Sequence, residues 1–195
     1  MLHRVPSMQR VLLSCWEPLS GLTPGEFAGF RDVLGSASGF QSFFYRRLEF
    51  LLGNEDPAMV RPHGRAPQYD QVLEQLRGPS IDDEALGALH RRGLGIPRDV
   101  LDRDLTEPYR PCEAVEAAWA RVYRSPGEHH DLYQLAEAMI EVAYLFARWR
   151  STHLLTVQRL LGDKPGTGGT SGVAWLRSIN EHRFFPELWS VRSSL

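Results

Sequence analysis

Apolar residues recur at intervals of three and four along almost the whole chain, and strict alternation is absent, so the pattern predicts helices and no sheet. The longest run covers about 129–161, where Leu132, Leu135, Met139, Val142, Phe146, Trp149, His153, Val157 and Leu160 form one seam. A helix of some thirty residues is on the order of 45–50 Å long. Gly162 can end it in a left-handed cap. A first helix over about 7–19 carries the stripe Val11, Leu12, Cys15 and Trp16.

Capping signals divide the rest. Thr23-Pro24-Gly25-Glu26 opens a second helix that runs to about Leu34, with threonine as cap, proline in the first turn and glutamate closing a capping box. Ser38-Gly39-Phe40-Gln41 has the same form and opens a third helix that reaches Gly53, pairing antiparallel with the second. Residues 54–66 are turn-rich and read as a loop, and shorter helices follow at about 67–77 and 81–92. Ser80 caps the second of these and Gly93 stops it. Three prolines and several charges mark 93–111 as an excursion away from the core, before a helix at about 112–124. A glycine-rich loop and an amphipathic C-terminal segment complete the chain. The expected fold is a single all-α domain over 1–195, a helical bundle with one long core helix.

Composition sharpens this picture. With 43% hydrophobic and 24% charged residues, the chain is an ordinary globular sequence able to bury a substantial core. A net charge of −2 gives no global field for nucleic acid or anionic lipid. Lys164 is the only lysine among 22 basic residues. Cys15 and Cys112 make no disulfide framework or C-x-x-C motif, and no apolar run approaches the roughly 18 residues of a membrane span. The expectation is a cytoplasmic protein with neither nucleic acid nor membrane as partner.

Three features carry candidate chemistry. His153 interrupts the apolar seam, four residues after Trp149 and four before Val157. It is either a neutral core histidine or a ligand to a metal or haem iron; no second histidine lies one turn away, and one protein ligand suffices for a haem. Arg31 sits among Phe27, Ala28, Leu34 and Gly35 at helical spacing, with no local acid. It either snorkels or bridges a distant acid, or holds a ligand carboxylate with its guanidinium fork. Ser38-Gly39 at a helix start either caps the helix or offers backbone N–H groups to an anion.

The segment Gly162 to Gly172 is not a phosphate loop: Lys164 precedes the glycines, the loop follows a helix, and Ser171 takes the last glycine place of G-x-G-x-x-G. What is left is a close-approaching backbone with hydroxyls at Thr167, Thr170 and Ser171, suited to closing over a polar ligand or to a plain connection. His129-His130 reads as a solvated helix start, and Asp82-Asp83-Glu84 complements a helix dipole. H-E-x-x-H and G-x-S-x-G are absent.

Two blocks together resemble a known family. Phe27-Ala-Gly-Phe-Arg31-Asp-Val-Leu34, then Ser38-Gly-Phe-Gln-Ser42 and Arg46, resembles one signature of the tryptophan 2,3-dioxygenases. Trp149-Arg150, His153, Val157, Arg159 and Gly166-Thr-Gly-Gly-Thr-Ser-Gly172 resemble the second, and Phe184-Phe-Pro-Glu-Leu-Trp189 looks like bacterial members. The blocks keep their order along the chain.

The resemblance implies an all-α haem b enzyme, usually a homotetramer, that inserts both atoms of O₂ across the indole C2–C3 bond of L-tryptophan to give N-formyl-L-kynurenine. His153 falls on the axial haem ligand and Arg31 on the residue that binds the substrate carboxylate. Thr167 falls on the threonine that contacts the substrate's amino-acid backbone, Phe27 and Leu34 on pocket walls, and Ser38 and Gly39 on the turn near propionates and substrate. Two departures accompany it. The family's preceding segment, with its distal histidine and aromatic-rich Glu-Leu-Trp stretch, has no counterpart here, so the expectation is an N-terminally shortened member. Ser151-Thr152 stand where an aromatic residue and an arginine are usual. The rivals are a related haem oxygenase acting on tyrosine or a substituted indole, and a haem-binding or structural remnant without turnover.

Overall fold

The computed structural model describes the backbone of residues 4–34, 43–53, 78–105, 107–164 and 172–195, and their side chains apart from 4–9, 12, 16, 30–34 and 43–46. Among the described residues the secondary structure is helical, with no strand. The helices are α1 (Arg4–Ser20), α2 (Pro24–Leu34), α3 (Phe43–Leu52), α4 (Ile81–Arg91), α5 (Arg98–Leu101), α6 (Glu113–Arg124), α7 (His130–Leu161), α8 (Val173–Glu181) and α9 (Pro186–Ser190), with a final 3₁₀ turn at Val191–Ser193. The predicted helix over 67–77 and the expected start of the third helix at 38–42 lie outside the described residues.

The 32 residues of α7 form the axis of the structure. Neither glycine nor proline interrupts it, Asp131 lies in its first turn and Arg159 in its last, and both complement the macrodipole. The predicted seam is buried at Leu132, Met139, Val142, Phe146, Trp149 and Leu160, but a second face is buried too, at Ala136, Ala143, Leu145, Arg150, Leu154 and Thr156. A helix covered on more than one side sits inside a bundle rather than on its rim. Helices α1, α2, α4, α6, α8 and α9 all pack against it. Gly162 does end α7, but with φ 57° and ψ −137° it is extended on the positive-φ side instead of adopting the left-handed helical cap expected.

On α1 the two described members of the expected stripe face outward. Val11 is 62% exposed and Cys15 is exposed, whereas Leu13 packs on the core. Positions 11 and 13 lie about 200° apart on a helix, so only one of them can face α7. Arg10 pairs with Glu141, and Arg159 donates to the Ser20 carbonyl, so α1 is tied to α7 near its middle and at its C-terminal end.

The capping box predicted at Thr23 forms, the cap predicted at Ser80 proves to be a capping box as well, and the box predicted at Ser38 lies outside the described residues. Thr23 N–H donates to Glu26 at 2.8 Å and Glu26 N–H donates to Thr23 Oγ1 at 3.3 Å; these hydrogen bonds hold the Glu26 carboxyl below its usual range. At α4, Ser80 N–H donates to Asp83 at 2.7 Å and Asp83 N–H donates to Ser80 Oγ at 3.2 Å.

The segment 93–111 is not an excursion. Leu94 and Ile96 are buried, and a polar chain holds the rest. Arg103 pairs with Asp83 at 2.5 Å and lies 4.9 Å from the centroid of the Tyr109 ring. Tyr109 OH donates to Glu187 Oε1 at 2.6 Å, and Cys112 N–H donates to the same oxygen at 2.8 Å. Prolines here shape the path of a segment that is anchored at both ends, so their count misreads it as solvent-facing. His129 also differs from expectation: its Nδ1 is buried, while His130 is exposed.

Burial raises the Glu187 carboxyl above its ordinary value, against the lowering effect of its donors, and burial beside Glu187 raises the Tyr109 phenol. A carboxyl whose folded pKa is raised contributes most stability below its unfolded pKa, and that contribution is lost as pH climbs through the folded value. Urea unfolding of Glu187→Gln is therefore expected to show a flatter decline above pH 4.5 than the parent, because the amide oxygen still accepts from both donors. Glu187→Ala is expected to cost about 1–3 kcal/mol by leaving Tyr109 OH and Cys112 N–H without that acceptor. A parallel decline in the glutamine variant would remove Glu187 as its source.

Candidate functional site

His153 lies in the second half of α7, where the helix is packed on several sides. Its ring stacks on Trp149 one turn earlier, with centroids 6.2 Å apart and planes 21° from parallel. Trp149 in turn meets Phe146 edge-on at 6.5 Å. Burial pushes the His153 ring down to about 4, so at neutral pH it is an uncharged imidazole, the form that ligates a metal.

Phe27 is half-buried on α2. Arg31 and Leu34 follow it at i+4 and i+7 on the same helix, so the backbone puts the three on one face; the side chains of Arg31 and Leu34 lie outside the described set. Helix α2 packs against α7, which makes the Phe27–Arg31–Leu34 helix a neighbour of the helix carrying His153. Ser38, Gly39 and Thr167 lie outside the described residues.

Periodicity did not single out the strongest polar contact in this region. Arg150 Nη2 donates to Glu49 Oε1 at 2.6 Å, with both side chains only 2% exposed. Its Nη1 donates to the His182 carbonyl at 3.2 Å, and Ser151 Oγ donates to Asn180 at 3.0 Å. A signal was present: Arg150 follows Ala136 and Ala143 at steps of seven, on the second buried face of α7, where a charge requires a buried partner. Nothing local in sequence names Glu49, 101 positions away.

Among the described residues no group of three or more histidine, cysteine, aspartate or glutamate side chains is placed to hold a bare metal ion. The available donor is one neutral imidazole on a rigid helix. The described fold is all-α, and its longest helix carries a neutral histidine stacked beside an aromatic cluster.

Comparison with known proteins supplies the family. The sequence model of a family described as tryptophan 2,3-dioxygenase matches residues 1–76 and 120–195. A tryptophan 2,3-dioxygenase of Exiguobacterium sibiricum is 47% identical over 196 aligned positions, which cover 100% of this chain and 70% of that protein. One from Burkholderia ambifaria is 46% identical, covering 100% of this chain and 64% of its own length. One from Erythrobacter litoralis is 48% identical, covering 100% and 74%. The chain belongs to the tryptophan 2,3-dioxygenase family. It spans less than two thirds of the length of the Burkholderia relative, and residues 77–119, with α4 and α5, fall between the two matched stretches.

Proposed function

We propose that the chain is a haem-dependent dioxygenase that cleaves the indole C2–C3 bond of L-tryptophan with O₂ to give N-formyl-L-kynurenine. The observation that carries the reading is His153: a neutral, stacked imidazole on the central helix of a chain in this family. The donor set fits haem b, because a porphyrin brings four nitrogens of its own and one protein ligand suffices to hold its iron. When bound, the haem iron supplies the chemistry that lets O₂ react with an indole. His153 would hold the iron and tune it through the imidazole.

The remaining work belongs to binding and orientation. Arg31 would take the substrate carboxylate in its fork, and Thr167 the amino-acid backbone of the substrate. Phe27 and Leu34 would form pocket wall, with Ser38 and Gly39 at the turn beside haem and substrate. The same reading carries the family's homotetramer and a reducing cytoplasm in which Cys15 and Cys112 stay thiols; among the described residues no helix is long and apolar enough to cross a membrane.

The test is the absorption spectrum of haem-reconstituted, dithionite-reduced protein with and without CO, followed by tryptophan turnover. A histidine-type Soret band that shifts with CO, and formation of N-formyl-L-kynurenine, is the expected result. Absence of stoichiometric haem would overturn the proposal. Arg31→Leu is expected to leave haem content unchanged and raise KM for tryptophan. Loss of a charge-assisted pair of hydrogen bonds is worth about 2–3 kcal/mol, on the order of 30- to 150-fold. An unchanged KM would return Arg31 to a structural role.

A further inference from the structure

Two helices that follow candidate site residues along the chain are tied to the His153 helix at one buried guanidinium. Arg150 lies on α7, three residues before His153. It donates to Glu49 on α3 at 2.6 Å, and α3 is the helix that follows Arg31, Ser38 and Gly39 along the chain. It also donates to the carbonyl of His182, which closes α8, the helix that follows Thr167. Its Cζ stands 5.0 Å from the Phe184 ring centroid and 6.0 Å from that of Phe146, so aromatic faces cover the rest of the cation.

A buried ion pair is a poor choice for stability alone, since an apolar pair of similar volume often does as well or better. What it does supply is geometry. The guanidinium fork has fixed donor directions, and breaking either side leaves a charge buried without its partner. Here the fork points to two chain segments at once and lies one turn from His153.

We infer that Arg150 and Glu49 are positioning residues for the reaction proposed above. They fix the register of the His153 helix against α3 and against the C-terminal end of α8. This rests on the reading of His153 as axial ligand and Arg31 as carboxylate binder.

Glu49→Gln keeps an acceptor in place and removes the charge; Arg150→Lys keeps the charge and loses the fork, so it cannot serve both acceptors. Arg192→Gln, which breaks an ion pair to Glu137 with side chains 43% and 40% exposed, is the control. In haem-loaded protein, Glu49→Gln and Arg150→Lys are expected to shift the ferrous iron–imidazole stretching band and raise KM for tryptophan roughly tenfold. Arg192→Gln moves neither. Folded variants with the parental band and parental KM overturn the positioning role.

A second arm needs no cofactor and covers the case in which a substitution lowers haem uptake. In the haem-free full chain, Glu49→Gln is expected to raise amide hydrogen exchange together in α3, in the second half of α7 and over 172–184. A rise confined to α3 overturns the inference. A parent chain that takes up no haem defeats the ligand reading by itself, and the exchange pattern then decides the role of the pair.

Discussion

His153→Ala is expected to abolish the histidine-ligated spectrum of the reduced, haem-reconstituted protein while leaving the fold intact. The imidazole is the donor on the central helix, and burial keeps it uncharged, so its lone pair is available near pH 7 without a proton having to leave. Alanine is a strong helix former, and the site lies within 32 residues of unbroken helix, so the backbone of α7 has no reason to change. The ring is not among the fully buried side chains, and its loss is expected to move the melting temperature by only a few degrees, about 1–2 kcal/mol. Millimolar imidazole added to the variant should restore part of the band by refilling the space. Circular dichroism at the melting transition and the CO-difference spectrum check the two halves. A parental CO spectrum in His153→Ala would remove this residue from the axial position, and the case for haem on α7 would go with it.

How far sequence leads to this structure depends on how much of each contact is local. The central helix is legible from end to end because the same helical period runs from Leu132 to Leu160, with His153 as its one polar member. His153 is legible for the same reason: one polar ring in a long apolar seam stands out. The capping boxes at Thr23 and Ser80 are i, i+3 contacts, and they form. The side of α1 that faces the bundle was not legible, since Val11 and Leu13 compete on opposite faces of the helix and only tertiary contact decides. Residues 93–111 were misjudged because the anchors of Tyr109 and Cys112 converge on Glu187, some 75 residues further on. The Arg150–Glu49 pair spans still more chain, and no local pattern could name both partners. For Arg31 the sequence showed an arginine among apolar neighbours, and the fold adds that its helix lies against the helix of His153.

Phe146→Ala is expected to cause the largest loss of stability of any single substitution considered, about 3–5 kcal/mol. The ring is fully buried at 0% exposure, near the middle of α7. It meets Trp149 edge-on at 6.5 Å and Phe184 edge-on at 5.4 Å, and the Arg150 guanidinium carbon lies 6.0 Å from its centroid. Truncation removes the transfer energy of a whole aromatic side chain and leaves a cavity walled by a rigid helix and by rings held in place by other contacts. Such walls collapse poorly, and the cost therefore sits toward the upper end of the range for aromatic truncations. It also strips one aromatic face from a buried cation whose second face is covered by Phe184. In a protein of this size each kcal/mol corresponds to roughly 2–4 °C, so the melting temperature should fall by about 10 °C or more. Phe146→Leu, which refills most of the space with apolar atoms, should recover more than half of the loss. If both variants melt within a few degrees of the parent, the centre of the bundle is not at Phe146. The opposite outcome, a large fall for alanine and a small one for leucine, would locate the packing that holds Trp149, and through it His153, in this aromatic cluster.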